Sequence, residues 1–157
     1  MNDSSENGHP LIRRLLEQDV DQVYEIEKLA YPFPWTRGLF VDCMNAGYAC
    51  FGLQIGRDLA GYVIFNWSAE EAHLLNLCVH PEWQHRGYGS LLLEYAINQV
   101  TKMDNKTMFL EVRESNLRAA SLYQNRGFRV IGYRPSYYRA GDGRENAIVM
   151  QLELGRS

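Results

Sequence analysis

The sequence predicts an α/β (α+β) fold, a mixed central sheet of six to seven strands with helices on both faces. Three observations predict it. The stretch 48–67 reads as two apolar strands around a Gly-Arg-Asp turn, which suits an antiparallel hairpin. The stretch 72–113 reads strand, helix, strand, and such a crossover demands a parallel pair. Finally, the 157 residues are 46% hydrophobic and 22% charged, which suits one domain with a sizeable core.

The elements follow in order. Residues 1–10 are polar and read as a flexible N-terminus, residues 11–154 as a single domain, and residues 155–157 as a short tail. Leu11 to Leu16 suits a short edge strand. Asp19 reads as a helix N-cap, with Gln22 completing a capping-box pattern. Val20, Val23, Ile26 and Ala30 follow at helical spacing. Tyr31-Pro32-Phe33-Pro34-Trp35 breaks that helix, because proline fixes φ and lacks the N–H. Thr36 caps a second helix that carries Leu39, Phe40, Cys43 and Met44, and Gly47 ends it. The hairpin strands at 48–55 and 59–67 come next, then a strand at 72–79. A polar loop leads into a helix over 87–103, with Tyr88, Leu91, Leu92, Tyr95, Ala96 and Val100 on one broad face. Met108 to Arg113 is a strand, Asn116 caps a helix that Gly127 terminates, and strands near 128–137 and 146–154 close the domain. The order is β-αα-βββ-α-β-α-ββ.

Composition excludes several function classes. Sixteen Lys and Arg against nineteen Asp and Glu leave a formal net charge of −3, too acidic for nucleic-acid binding by bulk charge. Cys43, Cys50 and Cys78 form no CxxC pair, so neither a cysteine zinc site nor a disulfide framework is expected. Unpaired thiols suit a reducing compartment, and a cytoplasmic location is expected. The first residues lack the apolar run of a signal peptide, and no stretch approaches the ~20 apolar residues of a membrane span.

Two stretches carry chemistry. Gln84-His85-Arg86-Gly87-Tyr88-Gly89-Ser90 joins a strand to a helix N-terminus. Its glycines let backbone approach a ligand, and the helix start offers unpaired N–H groups and a positive dipole end, which suit a pyrophosphate. A glycine-rich turn without a ligand is the plain alternative. No Lys-Ser/Thr follows the glycines, so this is not a P-loop. A dinucleotide fold wants a third glycine where Leu92 stands, although Glu111 lies at about the right distance to hold a ribose.

The second stretch is Met108 to Arg113. A central strand covered on both faces should be apolar on both, and Glu111 breaks that pattern. It is either a carboxylate paired with Arg113 or another cation, or a general base. Tyr123, on the next helix, is either an ordinary core tyrosine or a proton donor. Asn116 is a helix cap, and a cap sits where a helix start can also meet a ligand.

Together these residues resemble a known family. Gln84 to Gly89 fits the Q/R-x-x-G-x-G/A acetyl-CoA signature of the GNAT N-acetyltransferases. Leu110 to Asn116, Ala119 to Tyr123 and Gly127-Phe128 are similar to the RimI branch. So are Phe33-Pro34-Trp35-Thr36, Tyr137-Tyr138 and the stretch from Gly143 to Met150. The resemblance covers Leu11 to Leu154. It implies the GNAT acyl-CoA N-acyltransferase fold and transfer of acetyl from acetyl-CoA, without a metal, to the α-amino group of a protein N-terminus. In the RimI branch that acceptor is an N-terminal alanine of a small-subunit ribosomal protein.

The family's base falls on Glu111 and its acid on Tyr123. Its CoA contacts fall on Leu77, Cys78 and Val79, on Gln84 to Ser90, and on Asn116. The strands at 72–79 and 107–113 are expected to splay around the pantetheine arm. Phe33, Pro34 and Trp35, with Tyr137 and Tyr138, resemble the two loops that flank the acceptor peptide; alternatively these aromatics only cover core edges. An acceptor met as a flexible protein N-terminus needs no basic face, so no direct nucleic-acid contact and no membrane contact are expected. Asn146 departs from the family's usual Asp, and His85 is a less usual loop residue. A lysine or small-amine acceptor, or a non-catalytic acetyl-CoA-binding module, stays open at this stage.

Overall fold

The computed structural model describes residues 9–141 and 143–155. The flexible terminus expected over 1–10 and the tail at 155–157 fall mostly outside the described residues. Seven strands form a mixed sheet in the order β1-β2-β3-β4-β5-β7-β6. The strands are β1 (Leu11–Arg14), β2 (Ala49–Ile55), β3 (Asp58–Trp67), β4 (Glu71–Val79), β5 (Thr107–Arg113), β6 (Arg129–Ala140) and β7 (Gly143–Glu153). The helices are α1 (Val20–Ala30), α2 (Arg37–Asn45), α3 (Tyr88–Lys102) and α4 (Leu117–Arg126). The expected element order holds throughout. The chain forms two compact units, one running up to Phe65 and joined by Asn76–Tyr95, the other made of Asn66–Leu75 with the residues from Ala96 on.

In the first unit, β1 pairs antiparallel with β2 and β2 with β3, the latter around Gly56 in a left-handed conformation. Val20, Val23 and Ile26 of α1 and Phe40 and Cys43 of α2 bury against Tyr62, Ile64 and Cys78. Side chains of this kind each contribute roughly 1.5–3 kcal/mol on burial. Gly61 is required where β3 meets β4, because a Cβ there would stand 2.6 Å from the Cys78 carbonyl oxygen. Thr36 caps α2 as expected, its Oγ1 accepting from the Leu39 N–H at 3.1 Å.

The capping box expected at Asp19 does not form. A 3-10 turn over Glu17–Asp19 precedes α1, and Asp19 itself has helical φ and ψ. Its carboxylate turns back instead, accepting two bonds from Arg13 and one from the Leu16 N–H. A partly buried, two-pronged ion pair of this kind outcompetes a cap, since a helix N-terminus can be entered through a 3-10 turn.

In the second unit, β4 and β5 run parallel from Glu71↔Thr107 to Leu74↔Leu110. β5 pairs antiparallel with β7 along its whole length. The last two strands are longer than the expected 128–137 and 146–154. They pair out to Ala140↔Gly143, with register breaks at Val130/Gly132 and Arg134/Tyr138. Tyr137 and Tyr138 therefore stand on a strand beside a bulge, not in a loop. α4 begins at Asn116, whose Oδ1 accepts from the Ala119 N–H, and ends at Gly127 with φ +115°. Both ends match the sequence expectation.

Candidate active site

The loop after β4 is built as a cradle of backbone. His80 Nδ1 accepts from the Glu82 N–H and starts a 3-10 turn at Pro81–Trp83. His85 (φ +67°) and Gly87 (φ +86°) are both left-handed, and Tyr88 opens α3. Alternating left-handed residues turn successive N–H groups to one side, and the first turn of a helix adds N–H groups without an intrahelical partner. Arg86 lies over the Trp83 ring at 5.0 Å, leaving its charge beside the loop. Tyr88 and Gly89 are half-buried, and His85, Arg86, Gly87 and Ser90 are exposed. The loop thus has the chemistry of a pyrophosphate site.

Side chains already hold two carbonyls of β4. Gln84 donates to the Val79 oxygen at 3.0 Å, and the Tyr31 hydroxyl donates to the Leu77 oxygen at 2.6 Å. Each oxygen keeps a second lone pair. Between them, burial pushes the Cys78 thiol up to about 12, so it carries no thiolate at neutral pH and is no nucleophile. Cys50 is pushed up to about 12 in the same way.

Tyr31 begins the α1–α2 connection, which holds Phe33, Pro34 and Trp35. Phe33 and Trp35 are half-buried and Pro34 is exposed. Trp35 packs on Phe40 at 5.1 Å, and its N–H donates at 2.9 Å to Glu27 of α1. Glu27, Tyr62 and Asn76 meet in the same cluster. Sequence reasoning missed Glu27, yet it left a signal: the residue stands on the buried stripe of α1, four after Val23 and three before Ala30.

In the second unit, Glu111 lies on the half-exposed face of β5 with Phe109 and Arg113, as alternation predicts. Its cation is not Arg113 but Arg134, whose Nη1 donates to Glu111 Oε2 at 2.7 Å. Arg113 is engaged by Glu145 of β7 at 3.1 Å instead. Arg113 and Arg134 stand in register with the same residue, Ala147 of β7, and Arg134 is the one bonded to Glu111 Oε2.

Each arginine also covers a tyrosine ring, Arg134 over Tyr137 at 4.0 Å and Arg113 over Tyr138 at 4.5 Å. The two rings meet edge to face at 4.9 Å. Burial raises the Glu145 carboxyl, but bonds from Ser115 and Arg113 outweigh it, so Glu145 titrates below the usual range. Burial, with Glu111 and Tyr137 nearby, pushes the Tyr138 phenol up to about 12, so it stays protonated at neutral pH. Asn146 Oδ1 accepts from the Ser136 N–H at 3.0 Å and pins the left-handed residue that precedes the tyrosine pair. An aspartate oxygen would accept the same N–H, so this bond does not explain the departure at 146.

The second unit therefore brings Glu111, Tyr137 and Tyr138 into one network and adds Arg134, Arg113 and Glu145, which sequence reasoning did not find. Tyr123 stands on the next helix. It is 6% exposed on α4 and packs edge-on against Phe128. Among the described residues, no group of three or more His, Cys, Asp or Glu side chains is arranged to hold a metal ion. No helix among them is long and apolar enough to cross a membrane.

A parallel β4–β5 pair, a glycine-bearing loop running into α3 and a carboxylate on β5 define a class, and the sequence agrees. The family model described as Acetyltransferase (GNAT) family matches residues 20–128, and the chain belongs to that family. It is 37% identical over 143 residues to the [ribosomal protein bS18]-alanine N-acetyltransferase of Escherichia coli K12, covering 91% of this chain and 97% of that one. It is also 37% identical over 145 residues to the protein of the same name from Haemophilus ducreyi, covering 92% of this chain and 100% of the relative. The crystal structure of the ribosomal-protein-S18-alanine N-acetyltransferase from Escherichia coli superposes with a TM-score of 0.88 at 36% identity, over 95% of this chain and 96% of that one.

Proposed function

We propose that residues 11–154 act as one acetyltransferase domain that moves acetyl from acetyl-CoA to the α-amino group of a protein N-terminus. The acceptor is an N-terminal alanine of ribosomal protein bS18, the substrate for which the relatives are named. The observation that carries the reading is Glu111, a half-exposed carboxylate among Phe109, Leu110 and Val112 of β5, on a chain similar to those relatives along nine-tenths of its length.

The pyrophosphate of the donor docks on the N–H groups of residues 85–90, with Asn116 adding a contact at the start of α4. Backbone groups of Leu77, Cys78 and Val79 hold the pantetheine arm, and a nearby N–H polarises the thioester carbonyl. The acceptor arrives as an ammonium and loses a proton to Glu111, directly or through a water. Its nitrogen attacks the carbonyl carbon. The tetrahedral oxyanion collapses, the C–S bond breaks, and Tyr123 gives its proton to the leaving sulfur. Phe33, Pro34 and Trp35, with Tyr137 and Tyr138, form aromatic walls for the acceptor peptide.

The test is a panel of acceptors with acetyl-CoA: peptides with N-terminal alanine, peptides with a blocked N-terminus and an internal lysine, and polyamines. The reading expects turnover of the first class only. Faster turnover of lysine peptides or polyamines overturns the acceptor assignment, and acetyl-CoA binding without turnover overturns the enzyme.

A further inference from the structure

The carboxylate that this chemistry leaves unused is Glu27. It is 2% exposed, and donors from three elements meet it. The Tyr62 hydroxyl of β3 and the Asn76 amide of β4 donate to Oε1 at 2.5 and 3.0 Å, and the Trp35 N–H donates to Oε2 at 2.9 Å. Aromatic packing runs back over the same ground, Trp35 on Phe40 and Phe40 edge-on against Tyr62 at 5.7 Å. The connection that Trp35 ends has a second tie at its start, the Tyr31 hydroxyl on the Leu77 carbonyl, one residue beyond Asn76.

A buried carboxylate is a costly way to fill a helix stripe. Desolvation is unfavourable, and an apolar side chain of similar volume often serves stability equally well. What a carboxylate adds is direction, since its lone pairs dictate where each donor must stand. Here it dictates the place of the Trp35 backbone relative to β3 and β4. Nothing apolar could hold that N–H, and without its partner the Trp35 end of the connection would lose this hydrogen bond.

We infer that Glu27 is a positioning residue for the acceptor: with Tyr31, it fixes the Phe33–Pro34–Trp35 wall against β4, and so sets acceptor affinity without touching substrate. The inference rests on the proposed reading of that segment as an acceptor wall.

Two substitutions test it. Glu27→Gln keeps the volume but loses the charge and one acceptor oxygen, so the three bonds cannot all keep their charge-assisted form. Tyr31→Phe removes the hydroxyl's tie to the Leu77 carbonyl together with its contact to the Cys78 thiol. Each variant is compared with wild type for peptide KM, acetyl-CoA KM, kcat and Tm, using a peptide with N-terminal alanine. Losing a hydrogen bond to a charged group is expected to raise peptide KM in Glu27→Gln by roughly tenfold, with acetyl-CoA KM within about twofold. Tyr31→Phe is expected to raise peptide KM by about threefold, the effect of a neutral bond.

A fall in Tm with both KM values unchanged makes Glu27 a purely structural residue and overturns the inference, as does an equal rise in both KM values. Should Glu27→Gln fail to fold, Tyr31→Phe and Tyr62→Phe decide on the same criterion. A wild-type enzyme that leaves the peptide unmodified overturns the proposed function and the inference together. An active wild type beside variants of unchanged peptide KM overturns the inference alone.

Discussion

Glu27 and Glu111 both stand where pattern calls for an apolar residue, yet the protein holds them in opposite ways. Glu27 is enclosed, and hydroxyl, amide and backbone donors share its two oxygens. Glu111 keeps 27% of its side chain exposed and meets one guanidinium that is itself 52% exposed. The first arrangement fixes a backbone segment and has no freedom left. The second is weak enough to be exchanged, since exposed ion pairs contribute only about 0–1 kcal/mol. On the proposed reading, one carboxylate serves shape and the other serves exchange, with an acceptor ammonium taking the place of Arg134 at Glu111.

The largest expected effect lies on the exchangeable side. Glu111→Gln should lower kcat by roughly 10²–10⁴-fold, as should Tyr123→Phe, the range for positioned acid–base groups. Steady-state kinetics with an alanine peptide check both, and Tm should barely move for Glu111→Gln. Unchanged turnover in the two variants breaks the comparison at its chemical end.

The enclosed side should respond in stability. Glu27→Ala strands the Tyr62 hydroxyl, the Asn76 amide and the Trp35 N–H, and an unsatisfied buried group costs about 1–3 kcal/mol. Denaturant unfolding should show a loss of roughly 3 kcal/mol or more. A loss no greater than that of Glu111→Ala would remove the contrast.

A smaller effect is expected at Gly87. Its φ of +86° is unfavourable for any residue with a Cβ, although a Cβ itself would meet nothing within 4 Å. Gly87→Leu should therefore act through backbone strain of about 1–2 kcal/mol in the loop, raising acetyl-CoA KM by roughly tenfold. Peptide KM should stay put.

Asp19 gives the smallest effect and a pH signature. The Arg13 guanidinium and the Leu16 N–H hold its carboxyl below the usual value, against the opposing pull of burial. A depressed folded pKa adds stability above the unfolded value and loses it as pH falls through the folded one. Asp19→Asn should cost about 1 kcal/mol at pH 7, and the gap to wild type should close below roughly pH 4. Thermal melts across that range check the sign.

Periodicity and caps made most of the fold legible. The order of strands and helices, the Thr36 and Asn116 caps and the Gly127 stop all rest on neighbours within four residues. What stayed hidden depends on distant register. Arg134 meets Glu111 across 23 residues from a strand whose register breaks just after it, and no local pattern announces such a break. The far end of the β6–β7 hairpin places Arg139 opposite Arg144, so no apolar alternation marked it as strand. Asp19 was read as a cap from its local pattern, and Arg13 claimed it through an ion pair. The glycine loop and Glu111 stood out in the sequence because each breaks the rule of its own element.

The central claim is transfer of acetyl to an α-amino group. Mass spectrometry of a reaction of the purified protein with acetyl-CoA and an N-terminal alanine peptide of ribosomal protein bS18 tests it most directly, with the same peptide blocked at its N-terminus alongside. The expected result is one acetyl group, localised to the alanine nitrogen, and no product from the blocked peptide. Acetylation of the blocked peptide, or none of either, would contradict the account.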